Sequence, residues 1–515
     1  MEEKYYLKIG KASDLKSSKD RAFFRFLEML PGLLSWGMII LMIFLSWQKP
    51  VWVAIFIIFF DIFWLFRTIY LSFHLWAGYR RMIEYEKVDW IEKLENLQGK
   101  NWKEFYHLVV FPMYKESFEI IRDSLVTLEK SDYPKEKMIV VLGCEERARK
   151  EVEKTVELIR KGFENKFFKF LVTWHPDLEG EIAGKGSNET WAARKAKKEI
   201  IDKSGIPYEK VIFSSFDVDT CIYPKYFSCL TYHYLTVNNP MRKSFQPVPL
   251  FMNNIWQAPA FSRIFSFSSS FWHTMNQERP EKLVTFSSHS MSFKTLVDVG
   301  FKQVNVVSDD SRIFWQCFLK FDGDYQACPI YYPISMDANV AGTFWKTLVN
   351  IYKQQRRWAY GVGDIAYFLF GFSKNKKIPL SKKISLGWES LWGHWSWADS
   401  SILIFLLGWL PVVLGGNAFS QALVSYNLPK ITSQILTISM IGLIISAYFS
   451  LIILRKSQEK QNRFKYIMLI LEWFLVPFGM IFFTSLPALD AQTRWMIGKY
   501  MGFWPTEKVR KRREV

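Results

Sequence analysis

The stretch VIFSSFDVD, residues 211–219, is a short apolar run that ends in two carboxylates, Asp217 and Asp219. Its length and its β-branched and aromatic residues predict a buried strand. Other apolar runs alternate with amphipathic stretches, the runs at 107–111, 138–142 and 167–173 and the stretches at 117–128, 146–161 and 189–202. This alternation predicts an α/β fold, a mostly parallel sheet with helices on both faces. Because such sheets bind ligands at the carboxyl ends of their strands, Asp217 and Asp219 are expected to face a ligand.

The composition indicates a membrane protein. Of the 515 residues, 50% are hydrophobic and 17% are aromatic, and the formal net charge is +18. Basic residues cluster beside apolar runs, at 16–25, 80–81, 455–465 and 508–513. This placement favours the basic cytosolic flanks of membrane spans over a nucleic-acid-binding surface. The five cysteines form no C-x-x-C pair and the seven histidines have no metal-ligand spacing, so the sequence predicts reduced thiols and no zinc site.

Two apolar runs, 30–47 and 51–76, are each long enough to cross a bilayer. Only residues 48–50 separate them, so they predict a hairpin whose basic flanks both lie in the cytosol. The predicted organisation is a cytosolic N-terminal segment 1–29, a transmembrane hairpin 30–76, a cytosolic α/β domain 103–374, an interfacial helix 384–397, transmembrane helices within 401–486 and a basic tail 487–515.

The side of the basic tail depends on the last apolar segments, near 401–414, 431–454 and 466–486. Three crossings would leave the tail outside the cell, against its positive charge. Either the last segment is a broken or re-entrant helix near Glu472 and Pro477, or the charge rule fails at this tail. We expect a cytosolic tail, and the number of spans stays open between five and six.

Two acidic motifs carry the predicted chemistry. Asp217 and Asp219 could share a divalent ion, Mg²⁺ or Mn²⁺, with a diphosphate, because both ions prefer oxygen ligands. A solvated loop is the competing interpretation of this pair. The second motif, SDD at residues 308–310, precedes a helix predicted to begin near Ile313. Ser and Asp are favoured at helix N-termini in any case, but one of these carboxylates could also accept a proton from an attacking hydroxyl.

A third motif is QQRRW, residues 354–358. Arg357 offers a planar donor fork to a pyrophosphate, and Trp358 offers a flat face to a sugar ring. An interfacial helix whose arginines reach toward lipid headgroups would explain the same residues. The pentad alone does not decide between the two interpretations.

In this order, the three motifs resemble those of the processive family 2 glycosyltransferases, the group of cellulose, chitin and hyaluronan synthases. Four shorter stretches add to the likeness: 111–116 resembles the family's P-x-Y-x-E, 185–188 its lysine-containing nucleotide loop, 286–290 the F-F-C-G-S acceptor motif, and 504–508 a short T-x-K ending. The acceptor motif keeps only its outer Phe and Ser. The resemblance covers about 105–361 with the flanking spans, and it is more specific for the family than for the substrate.

The resemblance implies a GT-A-like domain and a role for each site residue. The residues implied to bind the donor nucleotide are Tyr114, Glu116, Lys185 and Asp217. Glu145 would stand in for the usual Asp that contacts the base, unless the base is held differently. Asp217 and Asp219 would hold Mg²⁺ or Mn²⁺. Asp310, with Asp309 beside it, would be the general base. The residues implied to gather diphosphate and acceptor are His289, Ser290, Gln354, Arg357 and Trp358.

These roles lead us to expect a multi-pass protein of the cell membrane with a cytosolic catalytic domain. It would be an inverting enzyme that moves a sugar from a nucleotide donor, UDP-linked, to a growing polysaccharide, with export through the same spans. Its partners would be the donor, a polysaccharide or lipid acceptor and the bilayer, and no nucleic acid. A non-processive enzyme acting on a lipid is the nearest alternative. A catalytically dead membrane scaffold or transporter is the alternative from another class. The sequence leaves the sugar and the linkage open.

Overall fold

The computed structural model describes residues 4–454 and 461–510. The basic stretches predicted at 455–465 and 508–513 therefore fall only partly among the described residues. An eight-stranded sheet forms the centre of the molecule, and long apolar helices lie before and after it in the chain. The predicted α/β class, with a mostly parallel sheet flanked by apolar helices, is confirmed.

The strands are β1 (Tyr106–Met113), β2 (Met138–Glu145), β3 (Lys169–His175), β4 (Val211–Ser215), β5 (Cys221–Ile222), β6 (Lys243–Phe251), β7 (Ser290–Ser292) and β8 (Gln326–Met336). The helices before β6 are α1 (Ser18–Gln48), α2 (Pro50–Lys87), α3 (Trp90–Glu95), α4 (Phe118–Glu129), α5 (Arg149–Phe163), α6 (Lys185–Ala196) and α7 (Tyr226–Thr236). The helices after β6 are α8 (Ala260–Gln277), α9 (Phe293–Asp298), α10 (Asp309–Lys320), α11 (Phe344–Ala359), α12 (Gly363–Lys374), α13 (Leu380–Phe405), α14 (Leu410–Leu414), α15 (Gly416–Ser420), α16 (Leu423–Ser439), α17 (Ile441–Leu454), α18 (Arg463–Glu472), α19 (Val476–Met480) and α20 (Leu486–Met496).

The sheet has the strand order β3-β2-β1-β4-β7-β6-β8-β5. Strands β1 to β4 pair in parallel, as do β6 and β8, while β7 and β5 run antiparallel to their neighbours. The carboxyl ends of β1, β2 and β4 therefore lie at one edge. Successive residues of β1 point to opposite faces, so Leu108 and Val110 join one hydrophobic core and Val109 and Phe111 join the other.

The strands lie where the apolar runs predict them, but two helices begin earlier than expected. Helix α6 begins at Lys185 and passes into a π-helical turn at Lys197–Ile201, where the sequence suggested one helix from 189 to 202. Helix α10 begins at Asp309, four residues before the predicted start. Asp309 and Asp310 therefore occupy its first turn, so the helix-terminus interpretation of this motif is correct as well. A carboxylate is stabilised there by the helix dipole.

Within residues 4–454 and 461–510, four helical segments are long and apolar enough to cross a membrane: Ser18–Gln48, Pro50–Lys87, Leu423–Leu454 and Arg463–Met496. The pair Leu380–Phe405 and Leu407–Leu414, bent by 47°, could form a fifth. The predicted interfacial stretch 384–397 is the first part of this bent pair, since α13 continues to Phe405 without a break.

The last apolar segment begins and ends beside the α/β domain. Near its start, the Glu472 carboxylate accepts hydrogen bonds from Arg263 on α8. At its end, the indole of Trp495 donates to the carbonyl of Tyr360. Between these contacts the helix is interrupted by a 3₁₀ turn at Trp473–Leu475 and a π turn at Ile481–Ser485. The helix is therefore interrupted on both sides of Pro477, and Lys508 of the tail that follows contacts Asp219 of the α/β domain. The number of spans and the cytosolic side of the tail stay predictions.

Close packing of α2 on α8 connects the apolar hairpin to the α/β domain, and it predicts a stability effect. A Cβ at Gly78 would lie 2.4 Å from the backbone carbonyl oxygen of Thr274. We expect Gly78→Ala to destabilise the protein by roughly 1–3 kcal/mol, because the two helices must separate. Thermal unfolding in detergent or nanodiscs measures the change. Gly37→Ala on exposed α1, where a Cβ meets nothing within 4 Å, is the matched control and should be neutral or stabilising. Equal melting temperatures for the two variants would contradict this packing argument.

Candidate active site

The D-x-D pair lies directly after β4, at the sheet edge predicted for ligand binding. Asp219 is fully buried, and its Oδ2 accepts a hydrogen bond of 2.9 Å from the backbone N–H of Asp337. Asp217 is half-buried, with 27% of its side chain exposed. The backbone thus fixes the inner carboxylate, whereas the outer one is partly exposed in the space between Lys185, Asp310 and Arg357, which we call the opening.

Lys185 joins two of the predicted motifs. Its Nζ lies 2.7 Å from Oδ1 of Asp217 and 2.8 Å from Oδ2 of Asp310. Gly186 makes this approach possible, since a Cβ there would lie 2.6 Å from the Cβ of Asp309. The N-terminus of α6 is therefore packed directly against the N-terminus of α10. One ammonium group then bridges the D-x-D pair and the predicted base.

A second, buried lysine stands behind the predicted base. The Nζ of Lys302 lies 2.9 Å from Oδ1 of Asp310, 3.0 Å from Oδ2 of Asp309 and 2.9 Å from Oγ of Ser215. It also pairs with the carboxylate of Glu189, which in turn accepts hydrogen bonds from Ser215. The carboxylates of Glu189, Asp309 and Asp310 lie within 4.8 Å of one another. Because the Lys302 ammonium already contacts all three, we do not assign a metal to this group.

The charges of this cluster set its titration. Burial raises the pKa of Asp310, but the ammonium groups of Lys185 and Lys302 oppose burial and hold that pKa well below its ordinary value. The pKa of Asp217 is also lowered, to about 2, because the ammonium groups of Lys185 and Lys508 lower it by more than burial raises it. Burial raises the pKa of Glu189 to about 7, with the two lysines opposing it. The carboxylates of Asp310 and Asp217 are thus ionised at neutral pH, whereas burial brings the pKa of Glu189 close to neutrality.

The QQRRW residues lie on α11 at the other side of the same opening. The Arg357 guanidinium interacts electrostatically with Asp217, Asp309 and Asp310, whose charges oppose the lowering of its pKa by burial. Gln354 accepts a hydrogen bond of 3.1 Å from the amide of Asn339. Trp358 faces Phe251 at 6.3 Å between ring centroids.

A small cavity lies between α11 and α8. Trp358 and Gln354 line it on one side, and Phe251 and the α8 residues Ser262 and Phe265 line it on the other. Its wall combines aromatic rings with hydroxyl and amide groups. Its volume, about 20 Å³, holds about one water molecule, so a sugar, which presents both apolar ring faces and hydroxyls, could enter only after the walls separate.

The C-terminal tail crosses the opening. The ring of Phe503 lies against Gly184, with the Arg357 guanidinium 4.9 Å from its centroid. The Nζ of Lys508 lies 2.6 Å from Oδ1 of Asp219. Two residues later, Arg510 pairs with the carboxylate of Asp337. A cationic side chain of the protein itself therefore occupies the position that a cation bound to Asp219 would take.

The residues predicted to hold the nucleotide lie at the ends of β1 and β2. The backbone N–H of Tyr114 donates to Glu116 at 2.7 Å. Burial raises the pKa of Glu116, and that N–H and the Lys508 ammonium oppose it. Glu145 pairs with Arg147, and its predicted contact with the base remains a prediction. The Arg147 guanidinium also lies 4.5 Å from the centroid of the Tyr114 ring.

His289 and Ser290 are both fully buried at the start of β7, beneath the opening. The Nδ1 of His289 is hydrogen-bonded to the carbonyl of Phe286 at 2.8 Å and lies 3.9 Å from Asp310. Burial lowers the pKa of His289 to about 3, so the ring is neutral. The Ser290 hydroxyl is within 2.8 Å of the Ser214 hydroxyl. In this structure both side chains support neighbouring elements, and their predicted acceptor role remains a prediction.

Sequence reasoning missed Lys302 and Glu189, and it noted Lys508 only as part of the T-x-K ending and of the basic cluster at 508–513. Glu189 lies one helical turn after Lys185, which is a usable signal for a shared face. Nothing in the sequence around Lys302 points to the site, because its partners come from α6, β4 and α10. The contact of Lys508 with Asp219 joins positions almost three hundred residues apart.

Comparison with known proteins shows no family. No family model matches the chain, and no curated protein matches it. Among solved structures, it is similar to the mannosyltransferase PcManGT from Pyrobaculum calidifontis in complex with GDP-Man and Mn²⁺, with 14% identity, 86% of this chain and 100% of that chain covered, and a TM-score of 0.41.

Two further similar structures are also glycosyltransferases by name or by ligand. S. aureus TarS 1–349 in complex with UDP has 11% identity, 67% and 91% coverage of this chain and that chain, and a TM-score of 0.36. GalNAc-T7 with UDP, GalNAc and Mn²⁺ has 9% identity, 59% and 58% coverage, and a TM-score of 0.31. With TM-scores below 0.5, these similarities do not support any statement about this chain's family, substrate or metal.

Proposed function

We propose that this protein is a membrane-embedded, inverting family 2 glycosyltransferase that moves a sugar from a UDP-linked donor to a growing polysaccharide. The observation that carries the proposal is the Lys185 bridge between Asp217 and Asp310, with Arg357 facing the same carboxylates from α11. Motifs far apart in the sequence thereby meet at one opening, at the carboxyl edge of the sheet. Neither a solvated D-x-D loop nor a purely interfacial α11 explains this meeting.

In the proposed reaction, the acceptor hydroxyl attacks the anomeric carbon of the donor sugar. Asp310 accepts the hydroxyl proton, and its low pKa means that it is already ionised at neutral pH. The bond from the anomeric carbon to the diphosphate oxygen breaks, and the nucleoside diphosphate leaves with that electron pair. Lys185 and Arg357 stabilise the negative charge that develops on the leaving group.

Asp217 and Asp219 are the residues that would hold Mg²⁺ or Mn²⁺. Their oxygens suit either ion, and the Lys508 ammonium beside Asp219 is an observed cation in the same place. When bound, the ion supplies charge neutralisation for the diphosphate. Lys508 must leave Asp219 for the ion to bind there, so the tail has to move between the two states.

The acceptor would lie in the groove between α11 and α8. The aromatic and hydroxyl side chains of this groove would suit a sugar once its walls separate, and α8 packs against α2, which connects the groove to the apolar helices. The proposed location is the cell membrane, with the catalytic domain in the cytosol beside the basic flanks.

The test is turnover of the purified protein in lipid nanodiscs with a panel of UDP- and GDP-sugars and Mg²⁺ or Mn²⁺. Nucleotide release and product size are followed together. Long product from one donor supports the proposal and names the sugar. Short, solvent-extractable, lipid-linked product selects the non-processive alternative. The proposal is contradicted if no donor in the panel binds or releases its nucleotide, even with cell-derived lipid and oligosaccharide acceptors added.

The position of Trp358 predicts a difference between transfer and donor hydrolysis. We expect Trp358→Ala to lower transfer about 10- to 100-fold, because the acceptor sugar loses its stacking face, while hydrolysis of the donor by water changes little. The two rates are measured in the same preparation. Trp388→Ala, an exposed tryptophan on α13, is the control. Equal losses of transfer and hydrolysis would instead make Trp358 a structural residue.

A further inference from the structure

Lys302 is a buried cation that belongs to no predicted motif, and only 1% of its side chain is exposed. A lysine ammonium has three protons, yet this one has four acceptors: Glu189, Ser215, Asp309 and Asp310. The residue therefore has all its donors engaged inside the protein. It has no free proton to offer to a ligand.

The two lysines beside Asp310 differ in what they can reach. Lys302 contacts Oδ1 of Asp310 from the core, and all its partners belong to α6, β4 and α10. Lys185 contacts Oδ2 and also Asp217, which is partly exposed at the opening. A diphosphate arriving at Asp217 would compete for the Lys185 ammonium, but it could not reach Lys302.

We propose that Lys302 is a positioning residue for the base. It holds Oδ1 of Asp310 throughout the reaction, so that Oδ2 faces the acceptor hydroxyl once Lys185 turns to the donor's diphosphate. Donor binding then frees the oxygen that accepts the proton, and the carboxylate keeps its orientation when it loses its outer partner. This inference rests on the proposed function, since it assigns Lys302 to the same reaction.

The charges around Lys302 explain why a neutral side chain cannot replace it. Without the Lys302 ammonium, Lys185 would be the remaining lysine beside three acidic groups whose ligand atoms lie within 4.8 Å of one another, and Lys185 is the cation that turns to the donor's diphosphate. Repulsion among the three acidic groups would turn Asp310 away from the core or force a proton onto it. Either change removes a positioned, ionised base while leaving the donor-facing residues Lys185, Asp217 and Arg357 unchanged.

The experiment compares Lys302→Met with the double variant Lys302→Met/Glu189→Gln, which removes one charge of each sign. For Lys302→Met we expect kcat to fall at least about 100-fold while the dissociation constant of the UDP-sugar changes less than about threefold. The double variant should recover about tenfold in kcat, because the neutral amide no longer repels the remaining carboxylates. Lys135→Met, which loses a half-buried lysine bonded to the carbonyl of Tyr133, is the control and should keep its kcat.

Three results would overturn the inference: a kcat for Lys302→Met within threefold of wild type, a donor dissociation constant that changes as much as kcat, or a double variant no better than the single one. If Lys302→Met does not fold, the charge-balanced double variant decides, since it should still turn over at least about tenfold more slowly than wild type with unchanged donor binding. A wild-type protein without turnover contradicts the proposed function itself, and the role of Lys302 with it. An active wild type beside an unimpaired Lys302→Met removes only the positioning role.

Discussion

Asp310→Asn should abolish measurable sugar transfer while leaving the donor bound. A general base typically contributes about 10²–10⁴-fold, and an amide accepts no proton at neutral pH. The residues that face the donor phosphates, Lys185 and Arg357, stay in place in this variant. We therefore expect kcat to fall by at least about 10³-fold, with a donor dissociation constant within about fivefold of wild type. Nucleotide release measures the first quantity and calorimetry with the UDP-sugar measures the second.

The control for this variant is Asp322→Asn. Asp322 also accepts bonds from a lysine and an amide, Lys4 and Asn375, but it lies in a loop remote from the opening. It should keep its activity. Wild-type rates in Asp310→Asn would remove the base assignment and, with it, the proposed mechanism. If Asp310→Asn loses both donor binding and turnover, Asp310 acts mainly through its contact with Lys185. If the wild-type protein binds the donor but does not turn it over, the catalytically dead scaffold or transporter is favoured.

Asp219→Ala should remove both metal binding and turnover. Its carboxylate is buried, with one oxygen held by the backbone N–H of Asp337 and the other facing the Lys508 ammonium. Without the ion the diphosphate carries uncompensated charge as it leaves, and we expect kcat to fall by at least about 10²-fold. Mn²⁺ binding followed by electron paramagnetic resonance should be lost in parallel. Near-normal rates at saturating Mn²⁺ would show that the metal assignment is incorrect.

Two comparison variants separate the metal from the tail. Lys508→Ala removes the same contact with Asp219 but keeps the carboxylate, so Mn²⁺ binding should persist in it. If Lys508→Ala loses Mn²⁺ binding as fully as Asp219→Ala, the contact between them is needed for binding, and the loss in Asp219→Ala no longer identifies its carboxylate as the metal ligand. Asp298→Ala, which removes a surface pair with Lys294, controls for loss of a carboxylate and should leave both metal binding and turnover unchanged.

The strands and the D-x-D pair were predictable because their signals are local. An apolar run such as 211–216 has the same preference for a buried strand wherever it occurs, and the carboxyl ends of parallel strands share an edge. That geometry is enough to place Asp217 near the ends of β1 and β2. The start of α10 at Asp309 was not predictable to the residue, because helix ends depend on capping contacts and not on periodicity.

Local patterns were enough to predict the α/β class, the apolar helices before and after the sheet and the order of the charged motifs. The three-dimensional packing was needed to show that Lys185 bridges Asp217 and Asp310, that Lys302 lies behind the base and that Lys508 contacts Asp219. It also decided that the last apolar segment returns to the domain. The physical reason is the range of each interaction. Hydrophobic periodicity is contained in a few neighbouring residues, whereas an ion pair depends on where separate elements bring two side chains together.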